Sequence, residues 1–87
     1  MSELIHRHSV HVIAPDGTEY RASTLGRQRS DGTWTGWIEF APMEGGRARR
    51  TDQETSQPDR RALEYWAGGL EPVYLEGALE RAMRRAD

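Results

Sequence analysis

Two short segments of the same kind, PDGT at residues 15–18 and SDGT at residues 30–33, constrain the fold of this chain more than any other feature. In each, an aspartate precedes a glycine that can adopt the left-handed conformation of a type I turn with a glycine bulge. Such a turn makes a three-residue hairpin loop. Residues 9–14, 19–27 and 33–41 are therefore predicted to form an antiparallel meander.

The loop length also fixes the register of the strands. The predicted pairs are Ala14 with Thr18, Val12 with Tyr20, Val10 with Ala22, Arg29 with Thr33, Arg27 with Thr35, and Leu25 with Trp37. Because side chains alternate across a strand, this register sends Trp34 and Trp37 to opposite faces of the sheet. The face with Trp34, Ile38 and Phe40 is the more apolar and is predicted to be the core. Trp37 is predicted to lie outside it.

Two helices are predicted to follow the strands, at about residues 58–68 and 72–85. A proline begins each helix, Gly68 and Gly69 end the first, and apolar residues recur in both at helical spacing. Residues 47–53 are a candidate fourth strand at the sheet edge. The sequence therefore predicts one α+β domain over residues 1–87, a three- or four-stranded antiparallel meander followed by two C-terminal helices packed on one sheet face.

The composition excludes several classes of protein. The chain has 87 residues and no cysteine, which leaves room for a thin core and rules out disulfides and thiolate chemistry. It has no run of roughly 20 apolar residues, and residues 1–8 lack the apolar stretch of a secretion signal. We therefore expect a cytoplasmic protein that does not enter a membrane.

All twelve basic residues are arginines, and asparagine is absent together with lysine. Arginine favours anion recognition, but the joint loss of two residues with A-rich codons indicates codon bias. The net charge of −2 also differs from the basic excess typical of a nucleic-acid binder. The position of each arginine in the fold, rather than the total number of arginines, therefore indicates whether it binds an anion.

The first candidate site is the outer sheet face around Trp37. Tryptophan and arginine are frequent anchors of protein interfaces, and they can also stack on nucleic-acid bases. The residues predicted to bind a partner on this face are Trp37, Leu25, Arg21, Arg27 and Arg29. The alternative is structural, with Trp37 covered by the second helix or a terminal segment, or packed across the strands against Leu25.

The second candidate site is the junction of the two helices, where Tyr65 and Tyr74 flank the glycines. In the functional interpretation, a groove between the helices takes a partner. In the structural interpretation, Glu54 or Gln57 accepts hydrogen bonds from the tyrosine hydroxyls in a polar network that caps the helices.

No motif in the sequence predicts catalysis, a metal site or a cofactor. The glycine-rich segments lack the spacing of phosphate-binding loops, and Ser9 lies on a predicted strand where neighbouring side chains point apart. His6, His8 and His11 cannot all converge on a zinc ion from a single strand. We therefore expect no catalytic residue, no metal and no cofactor.

Two resemblances add to these predictions. The segments DGTWTGWIEF, ETSQP and ALEYWAGGLEPVYLEGAL together resemble a family of short uncharacterised bacterial proteins. That resemblance spans most of the chain and implies a freestanding domain, without an activity.

The run RQRSDGTWTGWI, at residues 27–38, resembles the first strands of the plant ethylene-response-factor type of DNA-binding domain. That family places a three-stranded antiparallel sheet before a helix and contacts the major groove through arginine and tryptophan. The resemblance implies that Arg27, Arg29 and Trp34 contact DNA. The chain departs from the family at Trp37, where glutamate is typical, and lacks the tryptophan-leucine-glycine strand that follows.

The sequence thus predicts a small non-catalytic binding module, a protein-interaction or regulatory protein. Its expected partner is another protein or a second copy of itself. The alternative partner is nucleic acid, bound through Arg21, Arg27, Arg29 and Trp37.

Overall fold

The computed structural model describes residues 1–85. Its elements, in chain order, are β1 (Glu3–Ile13), β2 (Glu19–Gln28), β3 (Trp34–Pro42), β4 (Arg49–Arg50), β5 (Thr55–Gln57), α1 (Arg60–Gly68) and α2 (Pro72–Arg84). The strands form one antiparallel sheet in the order β1-β2-β3-β4, and β5 also pairs with β3. The predicted α+β architecture, a meander followed by two helices, is confirmed.

Glycine closes both hairpins in the predicted way. Gly17 and Gly32 each have φ of 90°, in the left-handed region that a residue with a side chain rarely adopts. The Gly17 amide donates to the carbonyl of Ala14 at 2.9 Å, and the Gly32 amide donates to that of Arg29 at 3.0 Å. Both loops are therefore three residues long.

The ladder that follows the second turn keeps the predicted register along its whole length. Leu25 faces Trp37, and Arg27 faces Thr35. Trp34 and Trp37 consequently lie on opposite faces of the sheet, as predicted.

The predicted register is wrong in part of β1. Val12 faces Tyr20 as expected, but between Arg7 and His11 four steps along β1 match only two steps along β2. This bulge removes the predicted pairing of Val10 with Ala22. Val10 is exposed, and the buried His8 takes the inner position instead. A turn fixes the pairing of the residues close to it, whereas a bulge further along the strand inserts extra residues and shifts the pairing beyond that point.

The inner face of the sheet and the two helices enclose the core. Its buried strand residues with side chains are His8, Val12, Tyr20, Ala22, Thr24, Trp34, Ile38 and Phe40. Against them α2 packs Leu75, Ala78, Leu79 and Ala82, while α1 contributes Leu63 and Ala67. Except for Val10, the residues predicted for this face are buried there.

The capping residues explain where each helix begins. The Asp59 side chain accepts a hydrogen bond from the Ala62 amide at 2.8 Å and caps α1, so that helix begins two residues later than the predicted start at Pro58. Pro72 begins α2, where its missing amide proton costs no hydrogen bond. Among residues 1–85, neither helix is long and apolar enough to cross a membrane.

The candidate strand at residues 47–53 is shorter than predicted. Only Arg49–Arg50 pairs as β4, and β5, which was not predicted, pairs further along β3. Between them the Thr51 amide donates to the Ile38 carbonyl at 2.9 Å, and the Thr51 hydroxyl accepts from the Ile38 amide at 3.1 Å. The Thr51 side chain thus accepts the Ile38 amide hydrogen bond that the carbonyl of a neighbouring strand would otherwise accept.

Two glycines of the sheet leave room for α1 to pack closely against it. Gly26 and Gly36 face each other across β2 and β3. A Cβ atom on Gly26 would lie 2.6 Å from Leu63 Cδ2, and one on Gly36 would lie 2.7 Å from Leu63 Cδ1. The fully buried Leu63 therefore fills the space that two side chains would otherwise take.

Candidate functional site

The outer face of the sheet is the first candidate site. Both helices of the described chain pack on the inner face, so the outer face carries no second layer of helix. Along β2 the residues that point to the outer face are Arg21, Ser23, Leu25 and Arg27, and their partners on β3 are, in the same order, Ala41, Glu39, Trp37 and Thr35. Four of the residues predicted to bind a partner are therefore brought together: Trp37, Leu25, Arg21 and Arg27.

Trp37 is covered on this face by arginine side chains. The guanidinium carbon of Arg50 lies 4.5 Å from the centre of the indole, and that of Arg27 lies 5.9 Å from it. Arg50 reaches the ring because it pairs with Glu39, which shares the face of Trp37. Trp37 is only 5% exposed.

The expectation that the Trp37 side chain lies open to a partner is therefore corrected. The long aliphatic stems of arginine can bury an aromatic ring while their charged ends stay in water. What the outer face presents to solvent is guanidinium charge above the indole, with the half-buried Leu25 beside it.

The outer face carries a local excess of positive charge. Arg7 faces Ser23 and so joins Arg21, Arg27 and Arg50 on this surface. Two carboxylates oppose these four arginines, Glu39 and Glu19, and His11 Nδ1 lies 2.6 Å from Glu19 Oε2. The charge is thus basic here, although the whole chain carries −2.

Arg7 and Arg50 were not among the predicted site residues. Arg50 belongs to the RARR segment, whose charge was visible in the sequence, but its face depended on the register of β4. Arg7 was missed because β1 begins at Glu3 rather than at residue 9. Arg29 pairs with Thr33 just beyond β2, with the same outer parity as Arg27, and its side chain donates hydrogen bonds to Gln53 and Ser56.

The three positions implied by the DNA-binding resemblance do not form one surface. Arg27 lies on the outer face, whereas Trp34 is 8% exposed on the inner face, under the Arg60 guanidinium at 5.5 Å from its ring. Arg29 makes its contacts with the β5 region. A DNA contact through all three side chains would require Trp34 to leave the core.

The two tyrosines of the helix junction occupy different environments. Tyr65 is almost fully exposed on α1, whereas Tyr74 is half-buried and donates a hydrogen bond to Glu54 Oε1 at 2.5 Å. Arg81 Nη2 donates to the same oxygen at 2.6 Å. The structural interpretation is confirmed for Tyr74, with Glu54 as its acceptor.

The pKa values of this network fit a structural role. Burial alone would raise the pKa of Glu54, but hydrogen bonds from Arg81 and Tyr74 outweigh it and lower that pKa. Burial and the Glu54 carboxylate raise the pKa of Tyr74 to about 12. The carboxylate therefore stays ionised and the hydroxyl stays protonated near neutral pH, which keeps every hydrogen bond of the network in place.

The three histidines near the N-terminus do not converge on one point, because His11 contacts Glu19 on the outer face while His8 is buried in the core. His8 Nε2 lies 2.8 Å from the Thr24 hydroxyl in the core, and the rings of His6 and His8 meet edge to face at 4.8 Å. Burial, and to a lesser extent His6, lower the pKa of His8 from 6.5 to about 4. Among residues 1–85, no three His, Cys, Asp or Glu side chains are grouped so that they could hold a metal ion.

Acidification is expected to destabilise the fold through His8. With a folded pKa of about 4 and an unfolded pKa of 6.5, the unfolded chain takes up the proton first. This contribution to stability is complete above about pH 7 and falls as the pH drops from 6.5 towards 4, by about 2–3 kcal/mol at pH 4.5. Urea unfolding at pH 7 and pH 4.5 measures the loss.

The His8→Gln variant is the control, because glutamine cannot take up the proton while carboxylates elsewhere titrate as before. It should lose about 2–3 kcal/mol less between the two pH values than the unchanged chain. Equal losses in both proteins would contradict the buried neutral histidine.

Chemically, the outer face offers guanidinium groups and a small apolar centre, which suit the binding of an anionic surface. No protein-family model matches this chain, and no curated protein or solved structure matches it.

Proposed function

We propose that this chain is a small non-catalytic binding module of the cytoplasm, and that the outer face of its sheet takes an acidic segment of a protein partner. The observation that carries the proposal is the group of four arginines on a sheet face without a helical layer: Arg7, Arg21, Arg27 and Arg50. Guanidinium groups bind carboxylates through paired hydrogen bonds. Within the described residues, neither Arg7 nor Arg21 makes an ion pair.

The apolar centre of the face favours a protein over nucleic acid. Leu4 faces Leu25 across β1 and β2, and Leu25 in turn faces Trp37. Leu4 is exposed, so a protein partner can bury leucine surface while its carboxylates meet the arginines. A phosphate backbone would leave this apolar strip unused.

Nucleic acid is the second candidate, because the same arginines can contact phosphates without reading a base. The stacking of a base on Trp37 would require Arg27 and Arg50 to leave the indole. The net charge of −2 also weakens long-range attraction to a polyanion. These two observations favour a protein partner over nucleic acid.

Charge reversal at two exposed arginines tests the proposed function. The Arg7→Glu/Arg21→Glu variant should lose roughly 10–100-fold in affinity for the partner, because two favourable charge contacts become repulsive. The measurement is an affinity pull-down from the source cell, with and without nuclease, followed by titration of the captured protein. Arg61→Glu, an exposed reversal on α1, is the matched control for net charge.

The pull-down separates the two partner classes. A protein that both the unchanged chain and Arg61→Glu capture after nuclease treatment, and that the double variant fails to capture, supports the proposal. Capture that nuclease abolishes, together with a steep loss of affinity in salt, would identify nucleic acid instead. Capture that the double variant keeps would refute the outer face as the site.

A further inference from the structure

A second surface, away from the arginine-rich face, forms a groove between the end of the first hairpin and α2. Its volume is about 460 Å³, within the roughly 300–1,000 Å³ of pockets that enclose a drug-sized molecule, so the groove has room for an aromatic side chain. Val12 and Ala14 of the hairpin and Leu79 and Met83 of α2 line it with apolar atoms. Ile13 stands at its rim and is 66% exposed.

The rim of this groove is acidic. Among residues 1–85, the charged residues that line it are Asp16, Glu76 and Glu80 and one cation, Arg84. Hydrogen bonds from Thr18 lower the pKa of Asp16, which keeps that carboxylate charged. Arg84 lies 3.4 Å from Glu80, and both side chains are largely exposed, so the pair is weak. The groove therefore suits an apolar group that carries a positive charge close beside it.

The same chain presents such a pair of groups on α1. Tyr65 is 87% exposed, and Arg61 precedes it by four residues, so that both side chains lie on one face of the helix. Within residues 1–85, neither side chain makes a hydrogen bond or an ion pair. A large exposed aromatic ring beside an available guanidinium is typical of an interface anchor.

We infer that the occupant of the groove is a second copy of this chain, whose Tyr65 enters the apolar floor while its Arg61 meets Glu76 and Glu80. The argument is complementarity of shape and charge between two surfaces of one molecule. The contact joins different surfaces of the two copies and is heterologous, so it extends head to tail or closes a ring. A contact centred on one aromatic ring is small, and the association is weak and concentration-dependent.

This self-association leaves the arginine-rich face free. Ile13 pairs with Glu19 at one end of the outer face, but Tyr65 and Arg61 lie on α1 and the groove floor lies between the hairpin and α2. The inference therefore does not depend on the proposed function.

Sedimentation analysis at increasing concentration tests the inference. The apparent mass of the unchanged chain should rise as the concentration approaches about 1 mM, whereas Tyr65→Ser and Ile13→Asp should each remain monomeric. The matched control is Val73→Asp, which removes an exposed apolar side chain (70% exposed) that lies on α2 but does not line the groove. That control should associate like the unchanged chain.

A mixture of the two monomeric variants identifies the heterologous contact. Tyr65→Ser keeps the groove, and Ile13→Asp keeps the tyrosine, so an equimolar mixture should form a 1:1 complex and nothing larger. A mixture that stays monomeric would overturn the inference, as would an unchanged chain that is monomeric throughout or a Val73→Asp variant that loses association. Circular dichroism confirms that each variant is folded.

Discussion

Replacement of Trp37 by alanine is expected to lower the free energy of unfolding by about 3–5 kcal/mol, as much as replacement of Trp34. The two indoles lie on opposite sheet faces, yet they are 5% and 8% exposed. Trp34 is packed in the core, whereas Trp37 is covered by Arg27 and Arg50. Urea unfolding of both alanine variants at neutral pH measures the two losses.

Tyr65→Ala is the control, since that ring is exposed and its removal should change stability by less than about 0.5 kcal/mol. A Trp37→Ala variant as stable as this control, beside a strongly destabilised Trp34→Ala variant, would contradict the arginine cover. It would mean that Arg27 and Arg50 leave the indole in solution and that the ring itself is free to meet a partner.

The second large effect on stability concerns the contact of α1 with the two glycines of the sheet. Leu63→Ala is expected to lower the free energy of unfolding by about 2–5 kcal/mol, because it empties a fully buried site. Gly36→Ala is expected to cost about 1–3 kcal/mol, since its new Cβ would lie 2.7 Å from Leu63 Cδ1. In the double variant the added methyl group meets the smaller alanine at position 63. The combined loss should then be smaller than the sum, by at least about 0.5 kcal/mol.

Urea unfolding of the two single variants and the double variant gives this coupling energy directly. Gly77→Ala is the matched glycine control, because its Cβ would meet only the end of the Arg81 side chain, at 3.4 Å. It should be neutral or stabilising by up to about 1 kcal/mol. Strict additivity at positions 36 and 63 would show that Leu63 does not rest on the glycine pair.

The turns and the long ladder beside them were predictable because their information is local. An aspartate followed by a glycine specifies the bulged turn, and the turn length specifies the pairing that follows. For this reason the pairing of Leu25 with Trp37 and the opposite orientation of the two indoles were both confirmed. The caps of the helices are equally local, and their predicted bounds were correct within two residues.

The irregular parts of the sheet were not predictable in this way. The bulge between Arg7 and His11 changes the inward residue from Val10 to His8, although valine is the better core residue by hydrophobicity alone. His8 is accommodated because Thr24 stands opposite and bonds its ring. That compensation depends on a residue sixteen positions away, which a local pattern does not contain.

The sequence predicted which residues share the outer face, but not which of them are open to a partner. Arg21, Arg27, Leu25 and Trp37 share a face, as the parity argument required. The availability of Trp37 was predicted incorrectly, because it depends on where Arg50 lies, and β4 is only two residues long. Arg7 and Arg50 complete the basic surface, and long-range pairing alone brings them to it.

By itself, the sequence determined the two turns, the alternation of faces and the order of strands before helices, because each depends on neighbours a few residues apart. The tertiary structure alone decided that Leu63 rests on Gly26 and Gly36, that arginines cover Trp37, and that Tyr74 and Arg81 share Glu54. These contacts join residues far apart in the chain. Their energies depend on burial and on the distance between atoms, and both quantities exist only once the helices have docked on the sheet.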